Sequence, residues 1–509
     1  MAPGPSSPLP EQLPAAHALI TKLQSDLQQA HWKIQQLEKK LYGASSDRIP
    51  AQEVTSKEQG LLTIFPEPGA PPATQNVVLP ESKEEPAPKR PARNPQPRVL
   101  ETITQRLEPE EKVCPHCGKA KCEIGCEKSE RFDYVPAKII RYEIIRPKLA
   151  CPCGQGTVVI APAPAAVVEK GLPGPGLLTQ VILSKYDDHQ PLYRQEQQLQ
   201  RLGAYFPRQT LSRWVEKGAE LLQPIVRLVK EQLLGGDYLQ VDETPVKVMD
   251  PDHPGRCATG YLWVAGRPGS DVLFEFHPGR GKEFAQKLVG GFKGYLQRDG
   301  YGVYASLVQD RPEDLIPVGC MAHVRRKFAD AYEDRPEEAQ WFVEQIRKLY
   351  LIEKHARDEG LLANQRHTLR HQLGPPIWSA IKERLDLLAP GLLPQSPLGK
   401  AVRYALAEWK SVQNHLRDGR LEIDNNLTEN AIRPSAVGKK NYLFIGHPDA
   451  GWRSAVIYTV IASCRRHGID PWVYIKDVFT RLPALTTSAL PDFLPARWKT
   501  LNGTKDRPE

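Results

Sequence analysis

The chain has 509 residues, well above the roughly 250 to 300 residues at which a single hydrophobic core stops growing, so several domains are expected. The 40% hydrophobic and 25% charged residues are typical of a soluble globular protein. No secretory signal is recognised at the N-terminus and no stretch approaches about 18 apolar residues, so the sequence predicts a cytoplasmic protein. A net charge of +8 suits a polyanionic partner without requiring one.

The first predicted element is a coiled coil over residues 12–43. Apolar residues recur there at alternating spacings of four and three from Ala16 to Leu41, the pattern of a heptad seam. An amphipathic helix packed on its own chain is the alternative, but we favour self-association into at least a dimer. Residues 44–110 are predicted to be a proline-rich linker, because segments such as EEPAPKRPARNPQP are too polar to bury a core.

A zinc-binding module is predicted over residues 111–160. Six of the nine cysteines lie between Cys114 and Cys153, which favours a local metal site in a reducing compartment over a disulfide framework. Two pairs of closely spaced cysteines can form one tetrahedral thiolate site for a single structural Zn²⁺. The predicted ligands are Cys114, Cys117, Cys151 and Cys153, and the alternatives are Cys122, Cys126 and His116.

Residues 171–234 are predicted to be a helical domain of the DNA-binding type. Two helices, near residues 192–202 and 208–217, are separated by a turn at Gly203, which is the outline of a helix-turn-helix. Packing of this hairpin against the following domain is the alternative. Arg208 and Arg213 on the second helix are the predicted DNA contacts.

An α/β catalytic domain is predicted over residues 235–480, with a helical insertion at about 330–420 and a C-terminal tail at 481–509. Short apolar strands such as DYLQVDETPVKV, GYLWVAG and GYLQRDGYG are separated by turns, whereas residues 329–418 have long helical patterns. The later segment YLFIG, with Tyr442 and Phe444, is interpreted as a strand of the core, with base stacking as the alternative.

Two aspartates follow similar apolar runs in this domain. Asp242 follows YLQV and Asp299 follows GYLQR, so both carboxylates are expected at strand ends, where they can hold Mg²⁺. A third carboxylate is needed to hold a second ion for in-line displacement at phosphorus. We predict Glu429, in a segment where Asn425 or the next residue can cap a helix that presents Glu429 and Arg433 on one face.

Basic clusters in the same domain are predicted to contact DNA phosphates, since backbone binding draws on Lys and Arg. Solvated helix faces explain any one cluster equally well. Cys320 and His323 suggest a second metal site or a nucleophilic pair, but we favour a packing role for both. The predicted phosphate contacts are Arg325, Arg326, Lys327, Arg433, Lys439 and Lys440.

These motifs in order, with CPHCG, VDETPV, RDGYGVY, GCMAHVRRKF and DNNLTENAIRP, resemble the transposases of the insertion-sequence sixty-six type over nearly the full length. The resemblance implies a multidomain α/β protein with an RNase H-like core and an acidic triad at Asp242, Asp299 and Glu429 that holds two Mg²⁺ (or Mn²⁺). It implies cleavage at insertion-sequence ends and strand transfer into target DNA. Asn430 departs from the family pattern, which usually has Arg there.

The resemblance also implies a bacterial, nucleoid-associated protein whose partners are insertion-sequence ends, target DNA and small accessory proteins of the element. Two alternatives stay open on the sequence. One is a DNA-binding structural or regulatory protein with an inactive nuclease fold. The other is a metal-dependent nuclease that cuts DNA without joining it.

Overall fold

The computed structural model describes residues 138–146, 148–149, 159–160, 166–168, 171–253 and 255–503. The predicted coiled coil, the proline-rich linker and all four predicted zinc ligands lie outside these residues. In the described part of the predicted zinc module, two short strands, β1 (Lys148–Leu149) and β2 (Val159–Ile160), pair in an antiparallel manner.

Three helices precede the main sheet. They are α1 (Pro175–Tyr186), α2 (Leu192–Arg201) and α3 (Arg208–Leu234). Helix α3 has 27 residues and so continues far beyond the expected end near residue 217. The reason is that buried apolar residues recur at helical spacing along its whole length, from Leu211 and Trp214 to Val229 and Leu233.

A five-stranded mixed sheet follows, in the order β5-β4-β3-β6-β7. Strands β3, β4 and β5 are antiparallel neighbours, whereas β6 and β7 run parallel to β3. Two short helices connect the parallel strands. The elements are β3 (Tyr238–Met249), β4 (Cys257–Gly266), β5 (Val272–His277), α4 (Lys282–Val289), β6 (Gly294–Gln297), α5 (Gly302–Asp310) and β7 (Leu315–Val318).

Strand β3 is longer than the sequence indicated. Asp242 was expected at a strand end, but it lies inside β3 and pairs with Val264 of β4. The strand continues because Val246 and Val248 bury alternate side chains and the antiparallel ladder with β4 extends to Met249. Only the parallel pairing with β6 stops before Asp242.

The chain then forms a helical segment with a hydrophobic core of its own. Phe328 and Phe342 stack there with ring centroids 4.1 Å apart, and Trp378 is buried beside them in the same core. The helices are α6 (Met321–Asp330), α7 (Pro336–Asp358), α8 (Ala363–Leu373), α9 (Pro375–Leu388), α10 (Pro397–Ala407) and α11 (Trp409–Gln413).

Four more helices return to the sheet: α12 (Asn426–Tyr442), α13 (Gly451–Arg466), α14 (Pro471–Arg481) and α15 (Pro495–Asn502). Helix α13 covers the edge strand β5, where the Thr459 and Ser463 hydroxyls accept the N–H groups of Phe274 and Val272 at 2.8 and 3.0 Å. These bonds satisfy backbone donors that an edge strand otherwise leaves unpaired. No helix in the described part of the chain is long and apolar enough to cross a membrane.

Two expectations for this last part differ from the structure. YLFIG forms no core strand: Tyr442 ends α12, Phe444 is exposed, and Ile445 makes one isolated bridge to Val248. The predicted C-terminal tail is folded as far as residue 503, because Phe493 and Trp498 are buried in the main core.

Candidate active site

The parallel pairing of β3 with β6 brings two aspartates to one place. Gln240 pairs with Gln297 in the register of the two strands. Asp242 and Asp299 each lie two residues beyond this pair, so they are neighbours where the two strands stop pairing. In each, Oδ1 accepts a nearby backbone N–H, at 2.8 Å for Asp242 and 3.0 Å for Asp299, which fixes both carboxylates against the main chain.

The electrostatics of Asp242 show that further carboxylates lie close to it. Burial raises the pKa of Asp242 to about 8, and the negative charges of Glu243, Asp299 and Glu429 add to this effect. A nearby like charge disfavours the ionised form of a partly buried carboxyl group. Asp299 and Glu429 therefore both act on Asp242, and a divalent cation would relieve this repulsion.

Helix α12, which carries Glu429 in its first turn, is fixed to the strand that carries Asp242. The Asn425 side chain donates to the carbonyl oxygen of Val241 at 2.9 Å, and the Gln240 side chain donates to that of Asp424 at 3.3 Å. Asn425 stands at the helix N-cap, as predicted, but its side chain makes no capping bond and reaches the strand instead. The bond to the strand sets where Glu429 lies.

Two buried glutamines that sequence reasoning did not single out hold the same region together. Gln240 Nε2 donates to Gln297 Oε1 at 2.8 Å, the Tyr238 hydroxyl donates to the same oxygen, and Gln297 Nε2 donates to the carbonyl oxygen of Glu422 at 2.8 Å. A signal was present in the sequence, because YLQ precedes each aspartate by the same spacing. A polar residue repeated inside buried strands indicates a hydrogen-bonded role.

Glu243 is a further residue that was not foreseen. Its side chain is 1% exposed and lies on the face of β3 opposite to Asp242, where it accepts from Arg280 Nε at 2.7 Å and from the Tyr304 hydroxyl at 2.6 Å. The Arg280 guanidinium stacks 3.8 Å from the centre of the Tyr301 ring. Because Tyr301 follows Asp299 by two residues, this ion pair also holds the loop that carries Asp299.

Helix α6 places a histidine beside the third carboxylate. His323 Nδ1 lies 3.7 Å from Glu429 Oε1, and Arg326 Nη2 lies 3.6 Å from Glu429 Oε2. Cys320, His323 and Glu429 are the one group of three potential metal ligands within 4.8 Å of one another among the described residues. His323 was expected to have a packing role, but the structure also places it in contact with Glu429.

The donor atoms fit a divalent ion. His323 Nδ1 and Glu429 Oε1 are both buried, and neither has a hydrogen-bond partner within the described ranges. Asp242, Asp299 and Glu429 are not within 4.8 Å of one another as a set. Carboxylates that do not all meet at one point are what a site for two ions requires.

The predicted DNA-contacting cations differ in their surroundings. Arg433 is exposed and contacts Asn430 Oδ1 at 3.3 Å rather than Glu429. The ammonium group of Lys439 is held within the protein, where it donates to Thr244 Oγ1 at 3.1 Å and to a strand carbonyl at 2.9 Å. Arg325 is half-buried, and the exposed cations are Arg208, Arg213, Arg326, Lys327, Arg433 and Lys440.

Replacement of Asp242 by asparagine is expected to stabilise the protein in the absence of Mg²⁺ and Mn²⁺. The pKa of about 8 exceeds the value of about 3.9 in an unfolded chain, so the stability present at low pH is lost as pH rises between these values. The asparagine amide does not ionise, so at pH 8 the gain should be on the order of a few kcal/mol. Thermal unfolding from pH 5 to 8 measures it, and Asp252→Asn in an exposed loop is the control. A lower melting temperature for Asp242→Asn at pH 8 contradicts this account.

Models of known protein families match most of the described chain. A model described as transposase IS66 family matches residues 170–453. The zinc-finger binding domain of transposase IS66 matches residues 111–154, and the IS66 C-terminal element matches residues 459–496.

Similar proteins occur in Sinorhizobium fredii (strain NBRC 101917 / NGR234). The uncharacterized protein y4jD is 32% identical over 418 residues, which cover 79% of this chain and 81% of that protein. The uncharacterized protein y4qI is 33% identical over 413 residues, which cover 77% of this chain and 76% of that protein.

Proposed function

Since the chain belongs to the IS66 family of transposases, we propose that it cleaves DNA at the ends of an insertion sequence and joins those ends to target DNA. The observation that carries this proposal is the register of β3 and β6, which brings Asp242 and Asp299 together, and the charges of Asp299 and Glu429 both raise the pKa of Asp242. The zinc-finger match supports a bound Zn²⁺, and a transposase domain implies DNA binding and a divalent metal.

The sheet supports an RNase H-like catalytic core. In such a core a three-stranded antiparallel meander continues into two strands parallel to the first, and the order β5-β4-β3-β6-β7 has these directions. The central strand β3 carries Asp242, the neighbouring β6 leads to Asp299, and a helix packed on the sheet carries Glu429. In our proposal residues 235–480 form this catalytic domain, with a helical insertion at about 330–420.

The three carboxylates would hold two Mg²⁺ or Mn²⁺ ions, which when bound activate a water or 3′-hydroxyl and stabilise the leaving oxygen. Asp242, whose pKa is raised by both of the other carboxylates, is the ligand proposed to be shared, and Asp299 and Glu429 would each complete one ion. The hydrogen bonds of Asn425 and the two glutamines keep the helix and the strands in fixed relation. This preorganisation limits the reorganisation that the site requires during the reaction.

Exposed cations near these elements are proposed to contact the DNA backbone. Arg326, Lys327, Arg433 and Lys440 lie on the helices α6 and α12, which meet at Glu429. Contacts to phosphate fix the position of the duplex without reading its sequence. Arg208 and Arg213 on α3 are the corresponding proposal for the helix-turn-helix region.

The remaining assignments complete the proposal. A coiled coil at 12–43 would form at least a dimer. One Zn²⁺ would be held by four cysteines, Cys114, Cys117, Cys151 and Cys153. Small accessory proteins of the element would assist the reaction. The protein would act in the bacterial cytoplasm at the nucleoid, where its DNA substrates are.

The test is cleavage of labelled DNA that spans the junction between the element and its flank, with the full-length protein. We expect a single cut at each element end with Mg²⁺ or Mn²⁺ and none with Ca²⁺, which supports binding but has looser coordination. Binding without cleavage in either metal, with and without the accessory proteins, would instead favour the inactive, structural or regulatory protein.

A further inference from the structure

We propose that His323 is a metal ligand of the catalytic centre. Together with Glu429, it would coordinate one of the two ions. The inference rests on the proposed function, which names carboxylates only. It adds an imidazole nitrogen to the ligand set and therefore concerns which metal the site prefers.

The first support is the distance between the two side chains. His323 Nδ1 and Glu429 Oε1 are 3.7 Å apart, too far for a hydrogen bond. Two ligands of one ion, each about 2.1 Å from it, are typically about 3 to 4 Å apart. The pair is therefore spaced as neighbouring ligands rather than as a hydrogen-bonded pair.

The second support is that these two polar atoms are buried without a hydrogen-bond partner among the described residues. Neither His323 Nδ1 nor Glu429 Oε1 makes a hydrogen bond to any residue that the structure describes, although both atoms are inaccessible. Asn425 Oδ1, one turn before Glu429, shares this condition. Buried polar atoms without partners are rare in folded proteins, and two of them facing each other indicate an ion or ordered water.

The third support is the way in which the two helices are joined. The sulfur of Cys320 accepts the backbone N–H of Asn425 at 3.3 Å, and the backbone of His323 also bonds to it. The N–H of Met321 donates to the carbonyl oxygen of Ile423 at 3.1 Å. Cys320 therefore holds the starts of α6 and α12 together, so that His323 and Glu429 face each other, and the sulfur serves the backbone rather than the ion.

A nitrogen ligand changes which metal ion the site binds more tightly. Mg²⁺ strongly prefers oxygen ligands, whereas Mn²⁺, as a first-row transition-metal ion, accepts an imidazole nitrogen beside oxygen ligands more readily. We therefore expect this site to bind Mn²⁺ more tightly than Mg²⁺. In His323→Gln, which keeps the volume but offers only an amide, Mn²⁺ affinity should fall about tenfold while Mg²⁺ affinity changes less.

Pulsed electron paramagnetic resonance of Mn²⁺ bound to the full-length, untagged protein tests this directly. We expect modulation from a directly bound ¹⁴N nucleus in the wild type and its loss in His323→Gln. Incorporation of ¹⁵N-histidine into the wild type should replace the ¹⁴N pattern with that of ¹⁵N, without any substitution that perturbs folding. The zinc module does not interfere, because Zn²⁺ is diamagnetic and thiolates favour it over Mn²⁺.

His371→Ala is the matched control. His371 is exposed and stacks on His367 one helical turn away, with ring centroids 4.2 Å apart, so this pair is another place where histidines lie close enough to bind an ion. We expect His371→Ala to keep the nitrogen signal. A signal that survives in His323→Gln and disappears in His371→Ala overturns the proposal.

The outcomes also separate this inference from the proposed function. A wild type that cleaves DNA with Mn²⁺ but shows no nitrogen coupling overturns the role of His323 and leaves the transposase proposal standing. Nitrogen coupling that depends on His323, in a protein that cleaves no element end, supports the site and contradicts the proposed activity.

Discussion

Replacement of Glu429 by glutamine, or of Asp242 or Asp299 by asparagine, is expected to lower DNA cleavage and joining by about 10³-fold or more. Each variant keeps the shape of the side chain but loses the charge that holds a divalent ion. An ion that supplies several kcal/mol of charge stabilisation corresponds, at about 4 kcal/mol, to roughly 10³-fold in rate. The measurement is the rate of product formation from labelled element ends under single-turnover conditions.

DNA binding provides the control for these three variants. The proposed phosphate contacts come from arginines and lysines that the substitutions do not touch, so affinity for element-end DNA should stay within a few fold of wild type. Asp252→Asn, in an exposed loop, should cleave like the wild type. Retained cleavage in any one of the three triad variants would remove that residue from the proposed centre.

Replacement of Arg370 by methionine is expected to destabilise the helical segment by about 3 to 5 kcal/mol. Arg370 is 3% exposed and pairs with Glu353 through Nε and Nη2 at 2.6 and 2.8 Å. It also donates to the carbonyl oxygens of His415, Asp418 and Leu421. The variant leaves three carbonyl groups without this donor and leaves the buried Glu353 carboxylate with Arg366, at 3.1 Å, as its ion-pair partner. The loss of these bonds should cost more than the loss of one exposed ion pair.

The effect should reach the active site. Leu421 and Asp418 lie in the chain that leads from the helical segment into Asp424 and α12, so Arg370→Met is also expected to reduce cleavage. Thermal unfolding and cleavage rates measure the two effects. Lys354→Met, exposed on the same helix as Glu353, is the control. An unchanged melting temperature in Arg370→Met would show that the buried pair contributes little.

The sequence was most informative where a short pattern determines local structure. Apolar runs that end in YLQ predicted the strands beneath Asp242 and Asp299, and the structure contains both within a mixed sheet. The family and the zinc finger were recognisable from motifs and are confirmed by the family matches, and the mixed sheet confirms the α/β class. Such features depend on residues that are close together in the chain.

Individual side-chain contacts between distant parts of the chain were not predicted. His323 and Glu429 meet only because a helical segment with its own core returns the chain to the sheet, and no local pattern encodes that return. The same holds for the bond from Asn425 to Val241, which replaced a local helix cap with a contact to a strand. The segment YLFIG was predicted as a strand from its composition, but Tyr442 instead bonds to Tyr458 at 2.5 Å.

Joining of a precleaved element end to a target plasmid tests the central claim most directly. The full-length protein is given Mn²⁺ or Mg²⁺, the plasmid and a labelled end that carries either a 3′-hydroxyl or a 3′-deoxy terminus. The account predicts covalent joining of the 3′-hydroxyl end alone, and its loss in Glu429→Gln. Nicking of the plasmid without joining, whichever terminus is supplied, would show a nuclease and contradict the transposase mechanism proposed here.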